Sequence, residues 1–122
     1  MKVLITGAFG NIGTSAIYKL LEQGHQVRGF DIKTSVNEKT AQRFKEQIDV
    51  VWGNVSNPDD VSVAVNGQDV VIHLAFIMPP ATEDRPEWSR EINIGGTKNI
   101  LSSMKTISPS SKIIFSSSLS VF

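Results

Sequence analysis

Gly7, Gly10 and Gly13 sit in the stretch TGAFGNIG, between a short β-branched and leucine run and a run with helical spacing. Glycines so placed can build a phosphate cradle. Gly7 allows a tight turn, Gly10 lets a pyrophosphate approach the backbone, and Gly13 lets a helix pack closely on a strand. Amides at the helix start, near Asn11 and Ile12, would then hold phosphate oxygens with help from the helix dipole. Glycines can also do no more than make a turn. The nucleotide reading is favoured by the strand before, the helix after and an acid at the right distance. That acid is Asp31, eighteen residues beyond Gly13 and at the end of the next β-like run. A carboxylate there can accept hydrogen bonds from both hydroxyls of an adenosine ribose and repels a 2′-phosphate, so NAD is favoured over NADP. Lys33 pulls the other way, because a cation can tolerate that phosphate. Taken alone, Asp31 also fits a solvated carboxylate after a strand.

The elements that must position these residues alternate along the chain. Val3 to Thr6 reads as a strand buried on both faces. Ile12, Ala16, Ile17, Leu20 and Leu21 recur at helical spacing, and Gly24 follows as a stop. Val27 to Ile32 is a second strand, Thr34 to Gln47 a polar stretch containing a helix of unset limits, and Asp49 to Trp52 a third strand. In SNPDDVSVAVNG, Asn57 is a helix cap, Pro58 takes the first helical position, and Asp59 and Asp60 suit the positive end of the dipole. Gly67 ends that helix. Asp69 to Ala75 is a fourth strand, MPPATEDRP a loop by its prolines and charges, and Glu87 to Thr106 a long helix. Gly95 and Gly96 weaken that helix by about 1 kcal/mol each relative to alanine. Ser108 to Ser111 is a loop and Ile113 to Phe115 a fifth strand. Such alternation implies an α/β fold, a Rossmann-type doubly wound parallel sheet of about five strands in the order 3-2-1-4-5. Residues 1–122 are expected to form one dinucleotide-binding domain, without internal repeat or linker.

The 122 residues suffice for a real core without disulfides. With 40% apolar and 20% charged residues, the chain belongs with globular rather than disordered proteins. Twelve basic and twelve acidic residues leave no net field for nucleic acid or anionic lipid. The absence of cysteine excludes disulfides, thiolate metal sites and cysteine nucleophiles. His25 and His73 lack partners at ligand spacing, so no metal site is expected. The apolar run at the N-terminus is too short for a signal peptide, and Val70 to Met78 is too short to span a membrane. The default expectation is a cytoplasmic protein without a membrane partner. His73 reads as a strand residue facing the packed interior rather than a catalyst.

With these features in order, the sequence resembles the extended short-chain dehydrogenase/reductase family, the NAD-dependent epimerase/dehydratase group that includes UDP-galactose 4-epimerase. TGAFGNIG has the family's glycine spacing, with Phe9 beside Gly10 at the cofactor, and Asp31 stands at its ribose position. GNVSNPDDV resembles the stretch that contacts adenine; Asn54 replaces the usual aspartate, Val55 follows, and an amide can still bond to an adenine amino group. DVVIHLAF resembles the fourth-strand segment beside the cofactor, which implies Leu74, Ala75 and Phe76 along NAD. NIGGTKN resembles a helix motif that puts Asn93 near the nicotinamide ribose and lets Gly96 pack a helix against the sheet. FSSSLSVF resembles the family's FSSSATVY, which implies Ser118 as the catalytic-type serine and Ser116 and Ser117 as its cofactor-side neighbours.

In the family such a serine assists a tyrosine whose pKa is lowered by a lysine four residues on, while NAD takes or returns hydride. The sequence has one tyrosine, Tyr18, followed by Lys19 and with Glu22 at the fourth position, so the Tyr-x-x-x-Lys pair is missing. Two readings follow. The 122 residues are the NAD-binding portion of an epimerase, dehydratase or oxidoreductase acting on a nucleotide sugar or related hydroxyl or carbonyl compound, inactive alone; or they are a non-catalytic dinucleotide-binding or interaction module. The first is preferred because Ser118 has no purpose in a mere binder. A sheet ending at the fifth strand should also leave an apolar face and a free edge, and so favour self-association.

Overall fold

The computed structural model describes residues 1–78 and 81–116. The elements run β1 (Lys2–Thr6), α1 (Asn11–Glu22), β2 (Gln26–Asp31), α2 (Ser35–Ala41), a 3-10 turn (Lys45–Gln47), β3 (Asp49–Trp52), α3 (Pro58–Val65) and β4 (Val70–His73). Then come α4 (Ala81–Asp84), α5 (Pro86–Arg90), a π-turn (Glu91–Gly95), α6 (Gly96–Ile107) and β5 (Lys112–Phe115). The five strands form one parallel sheet in the order β3-β2-β1-β4-β5, as the alternation predicts. β1 lies at its centre, with Val3 level with Val27 on one side and Val70 on the other.

The sheet is packed on both faces, which is why β1 is apolar without alternation. Leu4, Phe30 and Val71 meet Val61, Val65, Ile100 and Met104 of α3 and α6. Val3, Ile5 and Val27 meet Ile17 of α1 together with Phe44. Burying one such side chain contributes about 1.5–3 kcal/mol. α3 begins as expected: Asn57 Oδ1 accepts the Asp59 N–H at 2.9 Å and Pro58 opens the helix. Its other end is held by Arg28 of β2. Arg28 Nη1 donates to the carbonyls of Ala64 and Asn66, each at 2.9 Å, while Nε donates to Asp49 of β3 at 2.7 Å. One guanidinium thus joins two strands to a helix terminus rich in free carbonyls.

Several expected boundaries are revised. The segment from Met78 to Pro86, expected as a loop, contains the helical turn α4, with the Arg85 N–H donating to the Ala81 carbonyl at 2.9 Å. Pro86 does not break a helix but starts α5, where its missing N–H costs nothing. The single helix expected from Glu87 to Thr106 is divided by the π-turn ahead of Gly96. β4 is also shorter than the Asp69 to Ala75 run, ending at His73 where the chain turns across the end of β1.

Candidate active site at the carboxyl ends of the strands

The glycine turn joins β1 to α1. Gly7 has φ +67°, and a Cβ there would lie 2.9 Å from the Leu74 carbonyl carbon. Both the backbone conformation and the neighbour exclude a side chain. At Gly13 a Cβ would lie 2.5 Å from the Ala8 carbonyl oxygen, which lets α1 start hard against the turn. Gly10 is different: its φ is negative, and a Cβ would meet only the Gly7 oxygen at an ordinary 3.6 Å. Nothing among the described residues requires glycine there, and Gly10 faces the cleft described below. No side chain caps the start of α1 at Gly10, so its first amides are left for solvent or a ligand. Asn11 and Ile12 are exposed there, and Gly13 is buried.

Asp31 is fixed by the backbone around it. Its Oδ2 accepts the Phe9 N–H at 3.0 Å and its Oδ1 accepts the Ile32 N–H at 2.8 Å. Each oxygen keeps a further acceptor position. Phe9 reaches this site only through its amide. Its ring is buried against Trp52, with centroids 5.4 Å apart, and over Gly29, where a Cβ would lie 3.2 Å from Phe9 Cζ.

The loop after β3 forms the next wall. Gly53 donates its N–H to the Asp31 carbonyl at 3.0 Å, and Asp60 Oδ2 accepts the Asn54 N–H at 3.0 Å. Asn54 Oδ1 accepts both the N–H of Ser56 at 2.9 Å and its hydroxyl at 2.8 Å. Its acceptor positions are therefore filled, and the side chain offers a ligand its Nδ2 donor rather than the acceptor an amino group needs. Val55 is buried, with its carbonyl accepting from Asn99 Nδ2 at 2.9 Å. Gly96 makes room for it, since a Cβ there would lie 2.7 Å from Val55 Cγ2. The close approach that Gly96 permits is thus to this loop rather than to the sheet.

The chain leaving β4 closes the cleft. Leu74 donates its N–H to the Thr6 carbonyl at 3.1 Å, and Ile77 is held by Asn93, whose Oδ1 accepts its N–H at 2.7 Å and whose Nδ2 donates to its carbonyl at 3.1 Å. The Asn93 side chain is thereby engaged with backbone. His73 is wholly buried, as its strand pattern suggests, and lies 2.6 Å from Thr6 Oγ1 and 3.1 Å from Thr97 Oγ1. Burial disfavours the charged ring and lowers its pKa from 6.5 to about 4.

These walls enclose a cleft of about 260 Å³. It gathers Gly7 and Gly10 from the turn, Asp31 from the end of β2, Asn54 and Val55 from beyond β3, and Leu74, Ala75 and Phe76 from beyond β4. Phe9, Asn11, Ile12, Gly13 and Asn93 are not on its lining, and Ser116 is exposed past β5. Ser117 and Ser118 fall outside the described residues. Sequence reasoning missed Asn37, Ile77, Trp88 and Ile92, which also line it. Trp88 and Ile92 stand four residues apart and read as core. Arg85 places its guanidinium carbon 4.4 Å from the centre of the Trp88 ring, a cation–π contact. Tyr18 is not on this lining either: it is 54% exposed on α1 and packs on Phe44.

Comparison with known proteins agrees with this fold. The model of the 3-beta hydroxysteroid dehydrogenase/isomerase family matches residues 4–122. A 3-beta-hydroxysteroid dehydrogenase of Mycolicibacterium neoaurum is 34% identical over 82% of this chain and 27% of its own length. UDP-glucose 4-epimerase 3 of Oryza sativa subsp. japonica is 33% identical over 98% of the chain and 35% of its own. The crystal structure of UDP-glucose 4-epimerase from Bifidobacterium longum in complex with NAD+ and UDP superposes with a TM-score of 0.84 at 30% identity, over 99% of this chain and 38% of that one. The chain therefore spans about a third of the length of the proteins it matches. With the sheet order, the glycine turn and a family match over nearly all its residues, the chain belongs to the 3-beta hydroxysteroid dehydrogenase/isomerase family, within the NAD-dependent epimerase/dehydratase group of short-chain dehydrogenases/reductases.

Proposed function

We propose that residues 1–122 are the NAD-binding portion of an enzyme that moves hydride between the cofactor and a hydroxyl or carbonyl carbon of its substrate. The observation that carries this reading is Gly10, a glycine that no described residue requires, on the wall of a cleft beside an uncapped helix start. The residues fit a dinucleotide. The first amides of α1 would meet the pyrophosphate, Asp31 would accept from the adenosine ribose, and Asn54, Val55, Ile77 and Trp88 would enclose the adenine. Asn54 would address a ring nitrogen through Nδ2, its oxygen being held by Ser56. Leu74, Ala75 and Phe76 would run along the rest of the cofactor. Bound NAD would supply the hydride acceptor.

Ser118 is the residue of this chain we assign to the substrate, as a hydroxyl that bonds to the reacting oxygen, with Ser116 and Ser117 on its cofactor side. The two relatives above are named as a hydroxysteroid dehydrogenase and a sugar epimerase, and both names point to a hydroxyl-bearing carbon. A nucleotide sugar is the substrate class we favour, since the Bifidobacterium longum epimerase was solved with UDP. The isolated chain is expected to bind NAD without turnover, because Tyr18, its one tyrosine, has no lysine four residues on. Calorimetric titration tests this: NAD should bind more tightly than NADP, and an absence of binding by either would sink the reading. We further propose that a second copy of this chain docks on the β5 edge. Among the described residues β5 pairs only with β4. Ile114 and Phe115 on it are 56% and 51% exposed, and an unpaired apolar edge is a template for another strand. Sedimentation showing a monomer at all concentrations would refute that.

A further inference from the structure

Thr6 Oγ1 receives the backbone N–H groups of Leu74 at 3.0 Å and Ala75 at 3.2 Å, and lies 2.6 Å from His73 Nδ1. A hydroxyl has two acceptor positions and one proton. The Leu74 N–H is shared with the Thr6 carbonyl at 3.1 Å, and the direction is set from the other end: the single Thr97 proton goes to the Asn93 carbonyl, so Thr97 Oγ1 accepts from Nε2 and Nδ1 takes the Thr6 proton. The imidazole proton therefore sits on Nε2, where it donates to Thr97 Oγ1 at 3.1 Å. Thr97 in turn donates to the Asn93 carbonyl at 2.7 Å, inside the π-turn. The Asn93 side chain then grips both polar groups of the Ile77 backbone. Every proton on this path has one direction. Its two ends, Thr6 and Asn93, hold the same stretch of chain, residues 74–77, which lines the cleft.

We propose that His73, in its Nε2–H form, is a positioning residue for the dinucleotide site: it ties the Leu74–Ile77 wall of the cleft to the π-turn behind it and so fixes where that wall stands against the cofactor. The proposal rests on the reading of the cleft as a dinucleotide site. His73 itself is wholly buried, with the rings of Phe76 and Phe115 beside it at 4.7 and 6.1 Å, so its effect passes through the wall and not through a ligand contact. Thr97 Oγ1 reaches the Asn93 carbonyl by the four-residue back-bond open to any helical threonine, and Asn93, inside the π-turn, turns its side chain to Ile77. Single π-turns inside helices are frequent at functional sites.

The test uses the full chain. Long-range nitrogen–proton correlation of the histidine rings reports the tautomer, and the Nε2–H form is expected for His73; the Nδ1–H form would overturn the proposal. Thr97→Val removes the hydroxyl at nearly constant shape, whereas Thr97→Ser keeps it. Thr97→Val should weaken NAD binding roughly three- to tenfold, the worth of one buried hydrogen bond, with Thr97→Ser within about twofold of the parent. Amide exchange at Leu74, Ala75 and Ile77 should quicken in the valine variant alone. Equal affinity and equal exchange in the two variants would overturn the proposal. If the parent chain fails to bind NAD, the dinucleotide reading fails by itself, while the tautomer and the amide exchange still decide whether His73 fixes the wall.

Discussion

The Phe9 N–H donates to Asp31 Oδ2 at 3.0 Å, so the glycine turn after β1 and the acid at the end of β2 are one unit. Asp31→Asn would leave one oxygen to serve Phe9, Ile32 and a ribose. NAD affinity should fall about tenfold, roughly the worth of a hydrogen bond to a charged group, and the preference over NADP should narrow. Paired titrations with the two nucleotides check this, and an unchanged ratio between them would remove Asp31 from cofactor selection.

Gly10 and Gly13 should separate binding from folding. Among the described residues a Cβ at Gly10 meets nothing closer than the Gly7 oxygen at 3.6 Å, and Gly10→Ala adopts an unstrained φ. Stability should therefore change by less than about 1 kcal/mol, the scale of a helix-cap substitution, while NAD binding is lost. Gly13→Ala drives a Cβ to 2.5 Å from the Ala8 oxygen. Overpacking against backbone should destabilise by roughly 2 kcal/mol or more. Urea unfolding and NAD titration of both variants read the two effects apart.

Gly95 and Gly96 should respond to alanine with opposite signs. A Cβ at Gly95 has only Glu91 Cγ near it, at 4.0 Å. Gly95→Ala should then gain up to about 1 kcal/mol of helix propensity. A Cβ at Gly96 strikes Val55 Cγ2 at 2.7 Å, and the displaced Val55 loop should outweigh that gain. Thermal unfolding should place the two variants on either side of the parent, and two stabilised variants would mean that the Val55 loop yields freely.

These adjacent glycines mark the boundary of what sequence can say. Both read alike as weak points in a helix, because what separates them is a contact made by a loop some forty residues earlier. Signals that act locally were legible: β3 falls where its short apolar run predicts, and Asn57 with Pro58 starts α3 as their chemistry requires. The glycine turn and the place of Asp31 beside it were legible because a turn and its distance to an acid are properties of one β-α-β unit. The Phe9 ring turned into the core, the engagement of Asn93 with Ile77 and the presence of Trp88 in the cleft were not, since each depends on what another element places opposite. Asn54 is a subtler case. Its neighbour Ser56 occupies the side-chain oxygen with two hydrogen bonds, and only the geometry shows which end of the amide is left.

His73 should make the fold sensitive to mild acid. Its pKa is lowered from 6.5 to about 4 by burial, and its recorded partners Thr6, Thr97, Phe76 and Phe115 are all uncharged. Below pH 6.5 the unfolded chain binds a proton that the native chain refuses, so acid favours unfolding through this group. The loss begins near pH 6.5 and levels off once the pH falls below about 4, where both states are protonated. By pH 5.5 it amounts to about 1 kcal/mol, and over the full window to about 3 kcal/mol. Urea unfolding at about pH 7 and about pH 5.5 samples the part of this range above the ordinary titration of carboxylates. Equal stabilities at those two values would mean that the native state accommodates the imidazolium, and with it a second ring proton on Nδ1, 2.6 Å from Thr6 Oγ1.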